Sequence, residues 1–428
     1  MKKIISILII LCLCFVICAC KGGETPSENN NVSTPNSSVG QSSEEKKQPE
    51  SSSKVEESSK TSEPDRGTIT AFASARKFST KAVSQKRTLN NTVYKLKNDK
   101  KLNVVYFGGS VTWGASSTEG NSWASKTGQW LKSNYSDANI TCVNAALGGT
   151  SAYFGAFRFE TDVLPYKPDL MFIEFAVNDA YEGVNYSQSA YYLELLIKKI
   201  NKQLPQTDVI IILITDKGKL GGEYDCGKAH KAVANHYGIP CIDVGAALAK
   251  VIKDEGSDWN DYIGDYVHPN DKGHAVYADT IIKKLKTLLA VEAKSLKNHT
   301  LPKEDYIVGG VDMDCKVITV DQLKNSGDWK VKSGTIRKYT SYLTPTKKGD
   351  KFTIEFEGTS FGMYITTPTG NTVVATIDGV KRVYVVKPDT LDGEHERLLF
   401  DNLKSGKHTV EIEYASYKEF KIFAFFIG

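Results

Sequence analysis

The sequence predicts an open parallel α/β sheet followed by a smaller all-β sandwich, and three observations lead to this fold class. Between residues 67 and 300, short apolar runs rich in β-branched residues alternate with helical patterns. These runs lack polar alternation, which is typical of strands covered on both faces. From about residue 305 to 428 the helical periodicity is lost, and alternating strand patterns separated by turn residues replace it.

The first part is predicted to contain five strands and at least six helices. The strands are Asn103–Phe107, Ile140–Asn144, Asp169–Phe175, Asp208–Thr215 and Ile239–Val244. The helices are Asn91–Lys97, Ser122–Leu131, Ser151–Val163, Tyr191–Gln203, Lys228–His236 and Asp271–Leu289. This alternation predicts parallel strands with right-handed crossovers, and ligands of such sheets bind at the carboxyl ends of the strands.

The second part is predicted as a sandwich from six strand patterns. They read KFTIEFEG, FGMYITT, NTVVATIDG, KRVYVVK, HTVEIEY and FKIFAFFIG. Turn signals such as Asp378-Gly379 separate them, as expected for antiparallel strands.

The first 66 residues are predicted to lie outside the fold. Lys2 and Lys3 precede the apolar run Ile4–Ile17, which is short for a membrane span and typical of a signal peptide over 1–20. Its end, Ala19-Cys20, resembles a bacterial lipoprotein signal, which implies lipidation of Cys20; an ordinary cleaved signal and an uncleaved anchor are the alternatives. Residues 21–66 are rich in Ser and Glu and predict a disordered tether. The folded body is therefore expected outside the cytoplasm, anchored by lipid at the bacterial cell surface.

Composition disfavours several other functions. The net charge of +4 is small, and the charges are dispersed, so nucleic-acid binding is not expected. No phosphate-binding GxxxxGK[ST] loop is present. Cys142, Cys226, Cys241 and Cys315 show no metal-ligand spacing and are interpreted as free thiols. A metal site on His274 is disfavoured against a packed histidine, and neither a metal nor another cofactor is predicted.

Four groups able to do chemistry stand at predicted strand ends or just before the last helix. They are Gly108-Gly109-Ser110, the Asn144–Thr150 stretch with Gly149, Ala176-Val177-Asn178-Asp179, and Asp265-Tyr266-Val267-His268. A serine hydroxyl needs a base to become a nucleophile, and His268 can serve, with Asp265 orienting its ring. The N–H groups of Ser110 and Gly149 and the amide of Asn178 are candidate oxyanion donors.

These blocks resemble the SGNH (GDSL-like) hydrolase family, in particular its carbohydrate-esterase branches. Ser110, Gly149, Asn178 and His268 match the four family positions in order, and Asp265 matches the acid three residues before the histidine. The resemblance covers about residues 95–290 and implies a flavodoxin-like sheet. It departs from the family pattern at Gly109, where an aspartate is usual, and at Ala176, where a glycine is usual. Neither departure removes a reacting group.

Four further residues have two interpretations each. Trp113 and Arg158 are candidates for substrate binding; a core position and a structural ion pair are the respective alternatives. Trp259 is either a ring on which a sugar stacks or an ordinary core residue. Asp179 is interpreted as fixing the turn around Asn178 in preference to acting in catalysis.

The sequence thus predicts a cell-surface serine esterase that hydrolyses acyl esters of a polysaccharide or oligosaccharide. Acetyl esters are the favoured substrates. The alternatives are a glycan-binding lipoprotein with a vestigial site, a lipase, and a peptidoglycan O-acetylesterase. The β-sandwich is expected to pack beside the catalytic part rather than to bind glycan.

Overall fold

A five-stranded parallel sheet forms the centre of the first part of the fold. The structure is a computed structural model that describes residues 77–80, 86–311, 314–368, 370–385, 394–400 and 403–428. The predicted signal peptide, Cys20 and the predicted tether lie outside these residues. The strands are β1 (Lys101–Gly108), β2 (Asn139–Asn144), β3 (Leu170–Glu174), β4 (Asp208–Leu213) and β5 (Cys241–Asp243). Their order, β2-β1-β3-β4-β5, is flavodoxin-like and confirms the predicted fold class.

Helix α1 precedes β1, and further helices follow each strand of this sheet. They are α1 (Asn90–Tyr94), α2 (Ser110–Trp113), α3 (Trp123–Asn134), α4 (Ala152–Asp162), α5 (Ala176–Tyr181), α6 (Tyr186–Gln203), α7 (Asp225–His236), α8 (Val244–Glu255) and α9 (Asp271–Leu288). The sequence did not predict α8, because this helix begins directly at the end of β5. Its start is set by Asp243, whose side chain accepts a hydrogen bond from the Ala246 N–H.

Both faces of the sheet are buried, as the unbroken apolar runs predicted. Alternate residues of β1 enter opposite cores: Val105 and Phe107 face α4, α6 and α7, whereas Val104 and Tyr106 face α3, α8 and α9. None of the described helices is both long and apolar enough to cross a membrane.

Two antiparallel sheets form the second part. Their strands are β6 (Lys316–Thr319), β7 (Lys330–Ile336), β8 (Tyr339–Thr344), β9 (Lys351–Gly358), β10 (Phe361–Thr366), β11 (Thr372–Ile377), β12 (Val380–Val385), β13 (Glu394–Phe400), β14 (Gly406–Tyr414) and β15 (Lys421–Ile427). One sheet runs β13-β10-β15-β8-β7, with β6 beside β15, and the other runs β12-β11-β14-β9. Side chains from both sheets share one apolar core, so this β-module is a sandwich. Strands β6, β7, β8 and β13 were not predicted; β7 is largely exposed and polar.

The β-module packs on the α/β part through aromatic rings. Phe426 of β15 lies against Tyr153, Phe154 and Phe157 of α4, with ring centroids 5.7, 4.9 and 5.3 Å apart. All four side chains belong to the core that also covers one face of the parallel sheet. The described residues between 77 and 428 accordingly lie in one compact unit.

Candidate active site

The serine predicted as a nucleophile lies at the carboxyl end of β1. Gly109 precedes the four-residue helix α2 in an extended conformation, and Ser110 is the first residue of that helix. The Trp113 N–H donates to the Gly109 carbonyl at 3.0 Å, which closes the turn. The chain order reverses between β1 and β3, so Ser110 stands at the switch point where α/β sheets bind ligands.

His268 connects Ser110 to Asp265. The distance from Ser110 Oγ to His268 Nε2 is 2.7 Å, and the distance from His268 Nδ1 to Asp265 Oδ2 is also 2.7 Å. With a proton on Nδ1 donated to Asp265, Nε2 is free to accept the serine proton. The N–H groups of Val267 and His268 donate to the other oxygen of Asp265 at 2.8 and 2.7 Å, which fixes the carboxylate.

The pKa of Asp265 is lowered by these contacts. Partial burial opposes ionisation, but the hydrogen bonds from the backbone and ring of His268 and from Val267 outweigh it. The carboxylate is therefore negative throughout the pH range in which a histidine titrates.

Two glycine loops and one amide surround the serine. Gly149 has a φ of +66°, a conformation that glycine adopts without strain. The preceding Gly148 lies so close to Ser110 that a Cβ built on it would sit 3.7 Å from the serine Cβ. The amide of buried Asn178 packs against the Cα of Gly109, from the start of α5. The structure thus brings together all five residues predicted for the triad and the oxyanion donors.

Gly109, where the family usually has aspartate, is explained by this packing. A Cβ at position 109 would clash with the Asn178 amide, at 2.9 Å from Cγ and 3.2 Å from Nδ2.

The support for the serine loop comes instead from Glu174, the last residue of β3. Its Oε2 accepts a hydrogen bond from the Thr112 hydroxyl at 2.8 Å. Burial raises the pKa of Glu174 to about 7, although hydrogen bonds from Thr112 and Gly109 oppose the rise. Sequence reasoning missed Glu174 because it lies within an apolar strand.

Asp179 is buried and connects α5 to three other helices. One oxygen accepts from the Ala152 N–H at 2.7 Å, and the other from the Ser189 hydroxyl at 2.5 Å. His230 Nε2 lies 3.1 Å from that second oxygen. These contacts agree with the interpretation that Asp179 fixes the surroundings of Asn178.

Arg158 corrects one expectation, because its side chain is fully buried and does not face the cleft. Its guanidinium forms an ion pair with Asp162 at 2.9 Å and donates to the carbonyls of Ala145 and Gly108 at 2.7 and 3.1 Å. Burial lowers its pKa to about 10. Arg158 therefore joins the loops after β1 and β2, which is the structural alternative that the sequence left open.

Two tryptophans have different surroundings. Trp113 is 47% exposed at the end of α2, and the Arg337 guanidinium of the β-module stacks on its ring at 3.9 Å. Trp259 is buried and donates its indole N–H to the Asp265 carbonyl at 3.1 Å, so it is a core residue that supports the acid loop.

His274 is a packed histidine. Its Nδ1 accepts from the Trp123 N–H at 3.2 Å, so Nε2 carries the proton and faces the Ala115 carbonyl at 3.4 Å. Burial lowers its pKa to about 4, so the ring is neutral. Within the described residues, no group of three or more His, Cys, Asp and Glu side chains is arranged to hold a metal ion. The cysteines at 142, 226, 241 and 315 are free thiols.

The sequence of the α/β part is similar to that of known proteins. Residues 106–276 match the sequence profile of the GDSL-like Lipase/Acylhydrolase family. A stretch of 76 residues is 37% identical to the "Uncharacterized lipoprotein YqeF" of Bacillus subtilis (strain 168). This match covers 16% of the present chain and 31% of that protein, so it spans under a third of the relative's length.

Solved structures share the complete two-part fold. A two-domain esterase (CEX) active on acetylated mannans superposes with a TM-score of 0.69 at 22% identity, covering 80% of this chain and 96% of that one. The same esterase co-crystallised with mannopentaose gives a TM-score of 0.67 at 19% identity, covering 81% and 96%. Residues 106–276 of the present chain are therefore similar to the GDSL-like Lipase/Acylhydrolase family, and residues beyond them share the fold of a two-domain esterase.

Proposed function

We propose that this protein is a surface-anchored serine esterase that removes acyl groups from carbohydrate. Acetyl esters are its expected main substrates. The observation that carries the proposal is the continuous line from Ser110 Oγ through the His268 ring to Asp265, with both hydrogen-bond distances at 2.7 Å. The matching fold of an esterase active on acetylated mannans supports a carbohydrate ester as the substrate.

The reaction proceeds in two halves. Ser110 Oγ attacks the ester carbonyl carbon while its proton passes to His268 Nε2, and Asp265 stabilises the resulting imidazolium. The carbonyl oxygen becomes an oxyanion that accepts hydrogen bonds from the N–H groups of Ser110 and Gly149 and from the Asn178 amide. His268 then gives its proton to the departing sugar oxygen, which leaves an acyl-serine.

Water completes the cycle. His268 takes a proton from a water molecule that attacks the acyl carbon, and a second tetrahedral intermediate forms at the same donors. Its collapse returns the proton to Ser110 Oγ and releases the carboxylic acid. Asp265 remains ionised throughout, as its lowered pKa requires. Trp113, exposed three residues after the nucleophile, is assigned to lining the substrate pocket.

The test is the rate of acetate release by the Ser110→Ala variant. We expect hydrolysis of p-nitrophenyl acetate and of acetylated glycans to fall to background, with an unchanged unfolding temperature. The exposed Ser333→Ala variant in β7 of the β-module is the control and should retain full activity. Substantial turnover by a folded Ser110→Ala protein would refute the assignment.

We also propose that Cys20 carries the lipid that anchors the protein. The support is the signal-like sequence before Cys20 and the name of the relative, a lipoprotein. Cells expressing the full chain should incorporate labelled fatty acid into the wild type and not into Cys20→Ser. Equal labelling of both would exclude this anchor.

A further inference from the structure

Beside the catalytic serine, on the β4 side, lies a group of tyrosines that the mechanism does not use. Asn178 and Tyr181 are three residues apart in α5 and therefore share one face of that helix. Because Asn178 packs on Gly109, Tyr181 lies one helical turn further from the Ser110 loop along this face. The Tyr181 side chain is 49% exposed.

Tyr266 lies in the same region, next to the triad acid. Its carbonyl accepts from the Lys217 N–H at 3.0 Å, and its hydroxyl contacts Gly218 in the loop after β4. Like Tyr181, it is 49% exposed. Two large rings thus face solvent at the carboxyl edge of the sheet, each close in sequence to a residue of the candidate site.

The buried carboxyl group of Asp216 joins α5 to the loop after β4. Asp216 is fully buried and accepts a hydrogen bond from the Tyr181 hydroxyl at 2.6 Å. The Tyr224 hydroxyl donates to the same oxygen, and the Lys219 N–H donates to the other at 2.9 Å. The polar end of Tyr181 is therefore satisfied internally, and its apolar ring is held rigidly at the surface.

The opposite end of the cleft also presents an aromatic ring. Asn144, at the end of β2, donates from its side-chain amide to the Thr112 carbonyl at 2.9 Å, which places α2 toward the β2 side. Trp113 is exposed there. In the strand order β2-β1-β3-β4, Ser110 lies between this tryptophan and the tyrosines.

We propose that Tyr181 and Tyr266 form a saccharide subsite that holds a sugar unit next to the acylated one. A pyranose ring has apolar C–H faces and a polar rim, which suits a rigid exposed ring bordered by hydrogen-bonding groups. With Trp113 on the opposite side of Ser110, the proposed glycan is a chain whose acylated inner unit lies at Ser110 and whose neighbouring unit contacts the two tyrosines. The inference deepens the proposed function and rests on it for the reaction, but not for binding.

The first experiment compares substrates of different length in the full chain. The measured quantity is kcat/KM for acetylated mannopentaose or xylopentaose divided by kcat/KM for p-nitrophenyl acetate. We expect this ratio to fall by about tenfold in Tyr266→Ala and in Tyr181→Ala, mainly through KM. Tyr181→Phe, which keeps the ring and loses only the hydroxyl, should retain more of the ratio than Tyr181→Ala.

Tyr166→Ala is the matched control. Tyr166 is 46% exposed and stands before β3, at the amino edge of the sheet, so its removal should leave the ratio unchanged. An unchanged ratio in both Tyr181→Ala and Tyr266→Ala would overturn the subsite. A parallel loss of both rates would also overturn it, because it indicates a structural role alone.

A binding measurement separates this inference from the proposed reaction. Calorimetric titration of the Ser110→Ala protein with unacetylated mannopentaose and xylopentaose reports the subsite without turnover. We expect one of the two to bind, and to bind about tenfold more weakly when Tyr266→Ala is added. Binding that is insensitive to both tyrosines, or no binding of either sugar, would refute the subsite even if the esterase reaction is established.

Discussion

Glu396 of the β-module accepts a hydrogen bond from the backbone N–H of Ser151, with 2.6 Å between the nitrogen and Oε1. Ser151 precedes the first residue of α4 and follows Gly149 by two residues. A carboxyl group from β13 therefore occupies the N-terminal end of the helix that leads out of the candidate oxyanion loop. Although Glu396 lies 245 positions after Ser151 in the sequence, it bonds directly to the residue that stands two positions after Gly149.

The first prediction concerns Glu396. The Glu396→Ala variant leaves the buried Ser151 N–H without its partner, which should lower the free energy of unfolding by about 1–3 kcal/mol. Because the Gly149 loop loses a fixed end, kcat should fall more than KM rises. Burial, and then the nearby Glu182, raise the pKa of Glu396 well above its usual value, so the neutral Glu396→Gln side chain is a close mimic.

Denaturant unfolding and steady-state kinetics on p-nitrophenyl acetate check this prediction. Glu396→Gln should behave nearly as wild type, and Glu355→Ala, at an exposed position of β9, is the control. Wild-type kcat in Glu396→Ala would mean that the module does not influence the loop.

The second prediction concerns the contact between Gly109 and Asn178. A methyl group in Gly109→Ala displaces the Asn178 amide, whose Cγ would be only 2.9 Å away. If that amide stabilises the oxyanion, its loss should raise the activation free energy by about 2.7–4 kcal/mol. Gly222→Ala is the matched control, because a Cβ there meets its nearest neighbour at an ordinary 3.6 Å. Comparable kcat values for the two variants would remove Asn178 from the oxyanion donors.

The sequence could predict the parallel sheet and the positions of the site residues because both follow from local patterns. Unbroken apolar runs predict strands covered on both faces, and Ser110 and Asn178 follow such runs directly. It could not predict the Glu174–Thr112 or Glu396–Ser151 contacts, since each depends on how distant segments pack. Arg158 illustrates the same limit, because the sequence alone does not show whether an arginine beside a glycine loop faces solvent or the core. In the structure its side chain is held in the core by hydrogen bonds to the carbonyls of Gly108 and Ala145.

The third prediction uses the titration of Glu174. Its pKa is about 7 in the folded protein and near 4.5 in an unfolded chain, so the unfolded state releases its proton first as pH rises. The stabilisation that protonated Glu174 provides is therefore fully present below the unfolded-state pKa of about 4.5. It is lost as pH rises through the folded-state pKa of about 7. The free energy of unfolding falls by about 3 kcal/mol at most, because the folded and unfolded pKa differ by about 2.5 and each pKa unit corresponds to about 1.36 kcal/mol.

Urea unfolding at pH 5 and pH 8 measures this effect. The Glu174→Gln variant cannot ionise, so its stability should fall less than that of the wild type between the two pH values. The exposed Glu357→Gln variant should follow the wild type. Identical pH dependence in Glu174→Gln and wild type would show that Glu174 does not titrate in this range.

The last prediction concerns the link between Asp265 and His268. In Asp265→Asn the side chain no longer holds a negative charge 2.7 Å from Nδ1, so the imidazolium loses its stabilising partner and the ring its fixed tautomer. We expect kcat to fall by about 10²- to 10⁴-fold, the range that general base catalysis contributes. Asp279→Asn, at an exposed position of α9, is the control and should leave kcat unchanged. Rapid-quench measurement of the acyl-enzyme should show the loss in formation as well as in breakdown, because His268 acts in both halves. A wild-type rate of acylation would show that Asp265 is dispensable for activating Ser110.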